Sequence, residues 1–348
     1  MLVQSLLQVG IAQILQVGSC RLDDEAAVPL GMTEHPHVSI IGAGAVGVAV
    51  ATSILHGRFA PRVSLFDING DKAAGEAMDL AHAAPLLGNA QVTGGGMAEL
   101  IGGDICIITA GVKQRPGEDR LALLVRNCKA VGEIAATLEK QGLPRVVIMV
   151  TNPVDLMTEV MRRRLAPQGV AVLGSGTLLD TLRLRYALSR LLHLAPSSIH
   201  VSVVGEHGNS SVSLLDSGRA GGLPLAQVFA ANNVRFDDAQ RASLAADVRG
   251  AAFEIIARKG ATSHAIGVAV ARIVQAIATD ERVVLPVSAV VEPGLCAGVP
   301  CVLGRHGATP LPWPVLSERE QQALDQSLAI LRTSLQALDV TGAATSLR

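Results

Sequence analysis

The sequence predicts an α/β fold, a doubly wound parallel sheet followed by a second, α+β domain. Three observations carry that expectation. Short apolar runs at 37–41, 62–66, 104–109, 145–150 and 170–173 alternate with helix-length segments, the pattern of strands joined by crossover helices. The first run leads directly into a three-glycine turn, Gly42-Ala43-Gly44-Ala45-Val46-Gly47. Asp67 then ends the second run, twenty residues beyond Gly47.

Composition narrows the function classes. At 348 residues the chain suits one large α/β unit or two closely joined domains. The net charge of -1 and the lack of a long basic block give no electrostatic case for a nucleic-acid or membrane partner. Hydrophobic residues make up 49% of the chain but aromatics only 2%, so the core must be built from Ala, Val, Leu and Ile. Cys20, Cys106, Cys128, Cys296 and Cys301 show neither metal-ligand spacing nor a dense framework. Free thiols in a reducing cytoplasm, with no metal, are the expectation. No apolar stretch reaches the roughly 18 residues of a membrane span.

Met1 to Val17 is uncharged and lacks the basic start of a secretory signal. Met32 stands just before the first strand, so residues 1–31 are expected to be a disordered or mis-assigned extension. The expected divisions are an extension over 1–36, a dinucleotide-binding domain over 37–174, a second domain over 175–338, and a tail over 339–348.

Each element of the first half has a task. Gly42 permits the tight turn after the first strand, Gly44 lets backbone approach a pyrophosphate, and Gly47 lets the helix pack on the sheet. Phosphates would lie over the first helical amides, which present free donors and a partial positive charge. A plain strand-helix turn could use the same glycines, but Asp67 completes the fingerprint by offering a carboxylate to a ribose hydroxyl. That charge would repel a 2′-phosphate, favouring NAD over NADP, although Asn69 and Lys72 lie nearby.

The third run ends at Thr109 and opens into Gly111-Val112-Lys113-Gln114-Arg115-Pro116-Gly117-Glu118-Asp119-Arg120. The cations Lys113, Arg115 and Arg120, clustered about Gly111 and Gly117 at the carboxyl end of a strand, suit a mobile lid over a ligand. Thr151-Asn152-Pro153-Val154-Asp155 starts a helix after the fourth run, where Asn152 could serve as an ordinary cap. Two further motifs follow: Gly174-Ser175-Gly176-Thr177-Leu178-Leu179-Asp180-Thr181-Leu182-Arg183-Leu184-Arg185, and Val203-Val204-Gly205-Glu206-His207-Gly208-Asn209. Histidine titrates near ~6.5 and suits acid-base work, and a buried carboxylate beside it would favour the imidazolium. Arg183 shares a helix face with Asp180 and its planar fork can grip a carboxylate, which lysine cannot do in the same way. Ser317 and Glu320 form a capping box for a last helix reaching about Leu338.

From about Val38 to Arg332 these motifs resemble the lactate and malate dehydrogenases. The resemblance implies an NAD-dependent oxidoreductase that interconverts a 2-keto acid and a 2-hydroxy acid. It assigns His207 as the proton donor, Asp180 as its carboxylate partner, and Arg120 as the lid arginine that polarises the carbonyl. It gives the substrate carboxylate to Arg183, the carbonyl to Asn152, and a pocket hydroxyl to Thr262. Cofactor contacts are implied at Val46, Lys72, Gly111, Val112, Thr151, Asn152 and Ser175, with Ile266 as an apolar wall against the nicotinamide. A cytoplasmic homotetramer serving the last step of lactate fermentation is the implied setting.

Family members acting on malate usually carry arginine at the position matching Gln114. A neutral Gln114 would leave oxaloacetate's second carboxylate buried without a partner, at a cost of several kcal/mol. Pyruvate and lactate are therefore the expected substrates, although a one-residue shift of the lid would present Arg115. The alternatives are a malate or other 2-hydroxyacid dehydrogenase and, from a different class, an NAD-binding scaffold without activity. Arg185 falls roughly 200° around the helix from Arg183. With His200 it matches an interface site for fructose 1,6-bisphosphate in bacterial lactate dehydrogenases.

Three features depart from the family pattern. Asn209 replaces a common aspartate, which is expected to weaken support for a protonated His207. Val212 to Ser217 lacks the usual proline and tryptophan, leaving its packing open. Between 290 and 314, five prolines (Pro293, Pro300, Pro310, Pro312 and Pro314) are expected to interrupt the strands.

Overall fold

A computed structural model describes residues 36–112 and 120–340. The expectations for residues 1–31, for Lys113, Gln114 and Arg115, and for the tail after 340 lie outside the described residues. So does the side chain of Arg120. The described chain belongs to one compact unit.

Its centre is a nine-stranded sheet. Six parallel strands come from the first half: β1 (His37–Ile41), β2 (Arg62–Asp67), β3 (Gln91–Gly96), β4 (Ile105–Ile108), β5 (Val146–Met149) and β6 (Ala171–Gly174). They lie in the order β3-β2-β1-β4-β5-β6. Four helices make the crossovers: α1 (Ala45–Gly57), α2 (Gly70–Ala83), α3 (Arg120–Gln141) and α4 (Val154–Leu165). The order reverses between β1 and β4, so the turns leaving those two strands diverge and open a crevice at their carboxyl ends. All four residues of β4 and all four of β5 are buried, as expected of strands covered on both faces.

Strand β3 is the element missing from the sequence reading, so Thr151 follows the fifth strand of this sheet rather than the fourth. Its residues Gly94, Gly95 and Gly96 carry no strand signal. Space explains them: a Cβ on Gly94 would lie 2.3 Å from the carbonyl oxygen of Ala73 in α2.

The second half begins with α5 (Leu178–Leu192) and five two-residue strands: β7 (Ile199–His200), β8 (Val203–Val204), β9 (Val212–Ser213), β10 (Arg219–Ala220) and β11 (Leu223–Pro224). Then come α6 (Leu225–Ala231), α7 (Asp238–Lys259), α8 (His264–Ala278), β12 (Val283–Glu292), β13 (Leu295–Gly304), β14 (Gly307–Pro310) and α9 (Glu318–Val340). Strands β12, β13 and β14 run antiparallel and extend the central sheet through Ser288 opposite Gly174.

The expected interruption of these strands does not occur. Pro286 and Pro300 face each other in the β12-β13 register, so the two missing donors fall at one rung. Pro310 ends the edge strand, where no further ladder bond is required. Pro293 lies in the turn before β13. The capping box is present: the Ser317 N–H donates to Glu320 Oε2 at 3.0 Å, and the Glu320 N–H to Ser317 Oγ at 3.4 Å.

The core is aliphatic. One cluster lies between the central sheet and α3, α4 and α9, and a second gathers Leu184, Leu188 and Leu192 of α5 with Phe229 and Leu244. Leu214 joins the first cluster and Leu215 the second, so the unusual Val212–Ser217 segment packs without proline or tryptophan. Cys106, Cys128, Cys296 and Cys301 are free and buried. No helix among the described residues is long and apolar enough to cross a membrane.

Helix α8 crosses α1 closely. A Cβ on Gly267 would come within 2.7 Å of the Ala49 carbonyl carbon, so any side chain there forces the helices apart. Gly267→Ala is expected to lower the unfolding free energy by about 1–3 kcal/mol through overpacking, read by urea denaturation. Gly75→Ala in α2, where nothing lies within 4 Å, is the control. It should raise stability by about 0.5–1 kcal/mol through helix propensity.

Candidate active site

The crevice between β1 and β4 is shaped by two glycines of the first turn. Gly42 has φ +109, and a Cβ there would meet the Ala110 N at 2.6 Å. A Cβ on Gly47 would lie 1.9 Å from the Gly42 oxygen, so glycine is required for α1 to start this close to the strand. Gly44 faces open space instead, with nothing within 4 Å of its would-be Cβ. It caps α1 without a side-chain bond, and the first turn contains no acidic residue. The leading amides are therefore free to receive an anion.

Asp67 ends β2 and braces the same turn. Its Oδ2 accepts the Ala43 N–H at 2.8 Å and its Oδ1 accepts the Asn69 N–H at 3.0 Å. Asn69 is occupied as the cap of α2, accepting the Lys72 N–H at 3.1 Å. Both neighbours are thus engaged in starting a helix. A free diphosphate cradle with a carboxylate at the end of the second strand fits a dinucleotide.

Beyond the turn lies a cavity of about 360 Å³. It collects Val46, Gly111, Val112, Thr151, Asn152, Ser175, Arg183, His207, Thr262 and Ile266, residues that the sequence reading chose from seven separate segments. The Gly267–Ala49 contact explains how Ile266, at the start of α8, comes to face Val46. Gly42 and Gly44 belong to the adjoining turn, while Lys72 sits exposed on α2.

Asp180 is the charged centre of this region. It occupies the first turn of α5, is 4% exposed, and uses both oxygens. Oδ2 lies 2.6 Å from His207 Nδ1 and Oδ1 accepts the Arg183 Nη1–H at 2.9 Å. An ionised carboxylate can only accept, so Nδ1 carries the proton and Nε2 is left to face the cavity. Burial pulls the His207 ring down, but the Asp180 hydrogen bond and the charges of Asp180 and Asp155 outweigh it and raise the pKa above 6.5. Burial likewise pushes Asp180 up, but His207 and Arg183 prevail and hold it below 3.8.

Chain folding brings Asp180 and His207 together across 27 residues. The Val203 N–H, in β8, donates to Thr181 Oγ1 at 2.8 Å, fastening the approach to His207 one residue beyond Asp180. Gly205 and Gly298 exchange two backbone bonds, 2.9 and 2.8 Å long, and anchor the same loop on β13. Asn209 is exposed. His207 is shifted upward with asparagine at this position, by Asp180 and Asp155.

Three residues in this region were not singled out from the sequence. Asn127 in α3 accepts the Val112 N–H at 2.8 Å and donates from Nδ2 to the Asn152 carbonyl at 3.0 Å, tying two cavity walls together. Asp155 accepts the His207 N–H at 2.7 Å, and Ser288 donates to Asp155 at 2.6 Å. Asp155 lies within the Asn-Pro motif, so its place on the first helical turn was a usable signal. Asn127 and Ser288 stand in no motif. Arg185 faces away from Arg183 as expected, donating from Nε to the Val201 carbonyl at 3.3 Å. It lines a separate cavity of about 290 Å³ that also contains His200. No group of side chains suited to a metal ion occurs among the described residues.

Comparison with known proteins agrees with this layout. Residues 36–168 match the family description "lactate/malate dehydrogenase, NAD binding domain", and residues 177–339 match "lactate/malate dehydrogenase, alpha/beta C-terminal domain". The L-lactate dehydrogenase of Synechococcus sp. (strain JA-3-3Ab) is 40% identical over 299 residues, which is 84% of this chain and 96% of that protein. L-lactate dehydrogenase 1 of Clostridium acetobutylicum is 34% identical, over 88% of this chain and all of its own length. Among solved structures, the ligands-bound minor L-lactate dehydrogenase of Enterococcus mundtii superposes with a TM-score of 0.83 at 32% identity. That match covers 88% of this chain and 99% of the other.

In Asp180→Asn the two leading upward influences on His207 disappear while burial remains. Its pKa is expected to fall below 6.5, followed by NMR titration of the imidazole carbons with His207→Gln for assignment. The raised His207 contributes stability that is complete below 6.5 and lost as pH climbs through its folded value. The depressed Asp180 contributes stability present above 3.8 and lost as pH falls through its folded value. The same ion pair underlies both limbs, and Asp180→Asn should flatten both in a plot of unfolding free energy against pH.

Proposed function

Because the chain belongs to the lactate/malate dehydrogenase family, we propose that it is an NAD-dependent L-lactate dehydrogenase interconverting pyruvate and (S)-lactate. The observation that carries this reading is Asp180, buried and shared between His207 Nδ1 and Arg183 Nη1 at one cavity. A 2-keto acid needs a proton at its carbonyl oxygen and a cation for its carboxylate, and His207 and Arg183 offer these side by side. We assign residues 37–174 to the cofactor and 175–338 to the substrate.

In the direction of reduction, protonated His207 donates from Nε2 to the carbonyl oxygen, while Asp180 stabilises the imidazolium and fixes its tautomer. Arg183 orients the substrate carboxylate, and Thr262 and Asn152 border the substrate. NAD, when bound, would supply the hydride, and Ile266 would offer it an apolar wall. Gly42, Gly44, Val46 and Gly47 would cradle the diphosphate, Asp67 would take a ribose, and Gly111, Val112, Thr151 and Ser175 would line the remaining path. Lys72 would reach the adenosine end. By the family match Arg120 closes with the lid and stabilises developing alkoxide charge from which water has been excluded.

Gln114 directs the choice of pyruvate, since it offers no charge to a second substrate carboxylate. We further propose that fructose 1,6-bisphosphate acts at Arg185 and His200. Their common cavity supports this, as does Arg219, which stands opposite His200 in the β7–β10 ladder and adds positive charge. A homotetramer is the proposed assembly, supported by exposed apolar side chains such as Tyr186, Phe253 and Val268. The reaction would regenerate NAD at the end of lactate fermentation in the cytoplasm.

The test is NADH oxidation with pyruvate or oxaloacetate, each with and without the bisphosphate. Pyruvate should dominate by about a hundredfold or more, because each ~1.4 kcal/mol of mismatch is tenfold. Gln114→Arg should shift the ratio toward oxaloacetate; preference for oxaloacetate in the unaltered protein would sink the reading. The bisphosphate should lower the apparent KM for pyruvate several-fold, and Arg185→Gln should abolish that effect. Sedimentation equilibrium reporting a monomer would remove the tetramer.

A further inference from the structure

Asp155 is a buried carboxyl that the reaction outlined above leaves unused. It lies in the first turn of α4, is 2% exposed, and forms no ion pair with lysine or arginine among the described residues. A carboxyl in such a place is costly unless donors satisfy it. Two do. Ser288 Oγ donates to Oδ1 at 2.6 Å and the His207 N–H donates to Oδ2 at 2.7 Å. Ser288 is fully buried in β12, so the carboxyl plane is fixed from both oxygens.

His207 is consequently gripped from two sides. Asp180 holds its ring from α5, and Asp155 holds its main chain from α4. The double Gly205–Gly298 bond secures the loop two residues earlier. The charged and titratable groups facing Asp155 are His207, Glu206 and the Cys296 thiol. Burial pushes the Asp155 carboxyl up to about 6 against the opposing pull of Ser288 and His207. The charge of its ionised form adds to the upward influences on His207.

We propose that Asp155, braced by Ser288, is a positioning residue for proton transfer, fixing the His207 main chain and adding negative charge that favours the imidazolium. The inference rests on the reading of His207 as the proton donor. Three variants separate its parts. Asp155→Asn is nearly isosteric, since the amide oxygen can accept the His207 N–H while the amide nitrogen donates to Ser288 Oγ. It removes charge and keeps position. Ser288→Ala releases the brace and, by removing a donor that opposes burial, lets the Asp155 carboxyl rise further, so part of the charge goes with it. Asp155→Ala removes both.

In the full-length protein, pyruvate reduction by NADH and the NMR titration of the His207 imidazole are followed together, with NADH binding read by fluorescence. Asp155→Asn should lower the His207 pKa and reduce kcat several-fold. Ser288→Ala should cost about tenfold in kcat with KM for pyruvate close to wild type, and its His207 pKa should fall no further than in Asp155→Asn. Asp155→Ala should cost on the order of a hundredfold in kcat, the scale of a misplaced catalytic group, with NADH binding retained. If Asp155→Ala does not fold, the other two variants decide the matter.

Variants that lose thermal stability but keep wild-type kcat and His207 titration would overturn the proposal and leave Asp155 a structural carboxyl. If the wild-type protein does not reduce pyruvate, the functional reading fails by itself. The His207 titration in Asp155→Asn then still decides whether Asp155 governs the imidazole.

Discussion

A carboxylate buried beneath the cavity must be satisfied on both oxygens, and Asp180 meets that condition only because Arg183 lies one turn along α5 and the loop after β8 brings His207 against the same helix. Each partner needs the others. Removing His207 would leave one oxygen without its donor, and removing Asp180 would leave Arg183 and an imidazolium close together. The position of Asp180 in the first turn of α5 also sets its negative charge at the positive end of the helix dipole. The proton-transfer chemistry proposed for the site and the local packing are therefore the same electrostatic arrangement.

The scaffold makes that arrangement available by close approaches that tolerate few side chains. Gly47 lets α1 start against the Gly42 carbonyl, Gly267 lets α8 lie on α1, and Gly94 lets α2 lie on β3. The first two draw the dinucleotide turn and Ile266 to opposite sides of one cavity. Asn127 then joins Val112 to Asn152 across the mouths of two strands. With an aliphatic core and few aromatic rings, precision of this kind comes from backbone contact and buried hydrogen bonds.

Much of the parallel sheet was legible from local pattern. Strands β1, β2, β4, β5 and β6 are short, mainly apolar runs followed by helix-length segments, and Ser317 with Glu320 announced the last helix. Strand β3 was hidden because Gly94, Gly95 and Gly96 serve the neighbouring helix rather than the strand. Strands β12 and β13 were obscured for a related reason. Proline forbids a ladder bond only where one is required, and the facing of Pro286 with Pro300 depends on a pairing that local sequence does not express.

The sequence by itself determined the chemical vocabulary. The glycine turn with Asp67, the Asn-Pro pair, Asp180 with Arg183, and the Gly-Glu-His-Gly loop each follow from residue type and spacing, helped by resemblance to a known family. Helical geometry also separated Arg185 from Arg183. Tertiary structure alone decided that His207 is held at its main chain by Asp155, that Ser288 braces that carboxyl from β12, and that Arg185 and His200 share a cavity. These are contacts between side chains and backbone brought together by the sheet's strand order. Their partners lie 52, 133 and 15 positions apart in the chain, and no local periodicity spans the two longer separations.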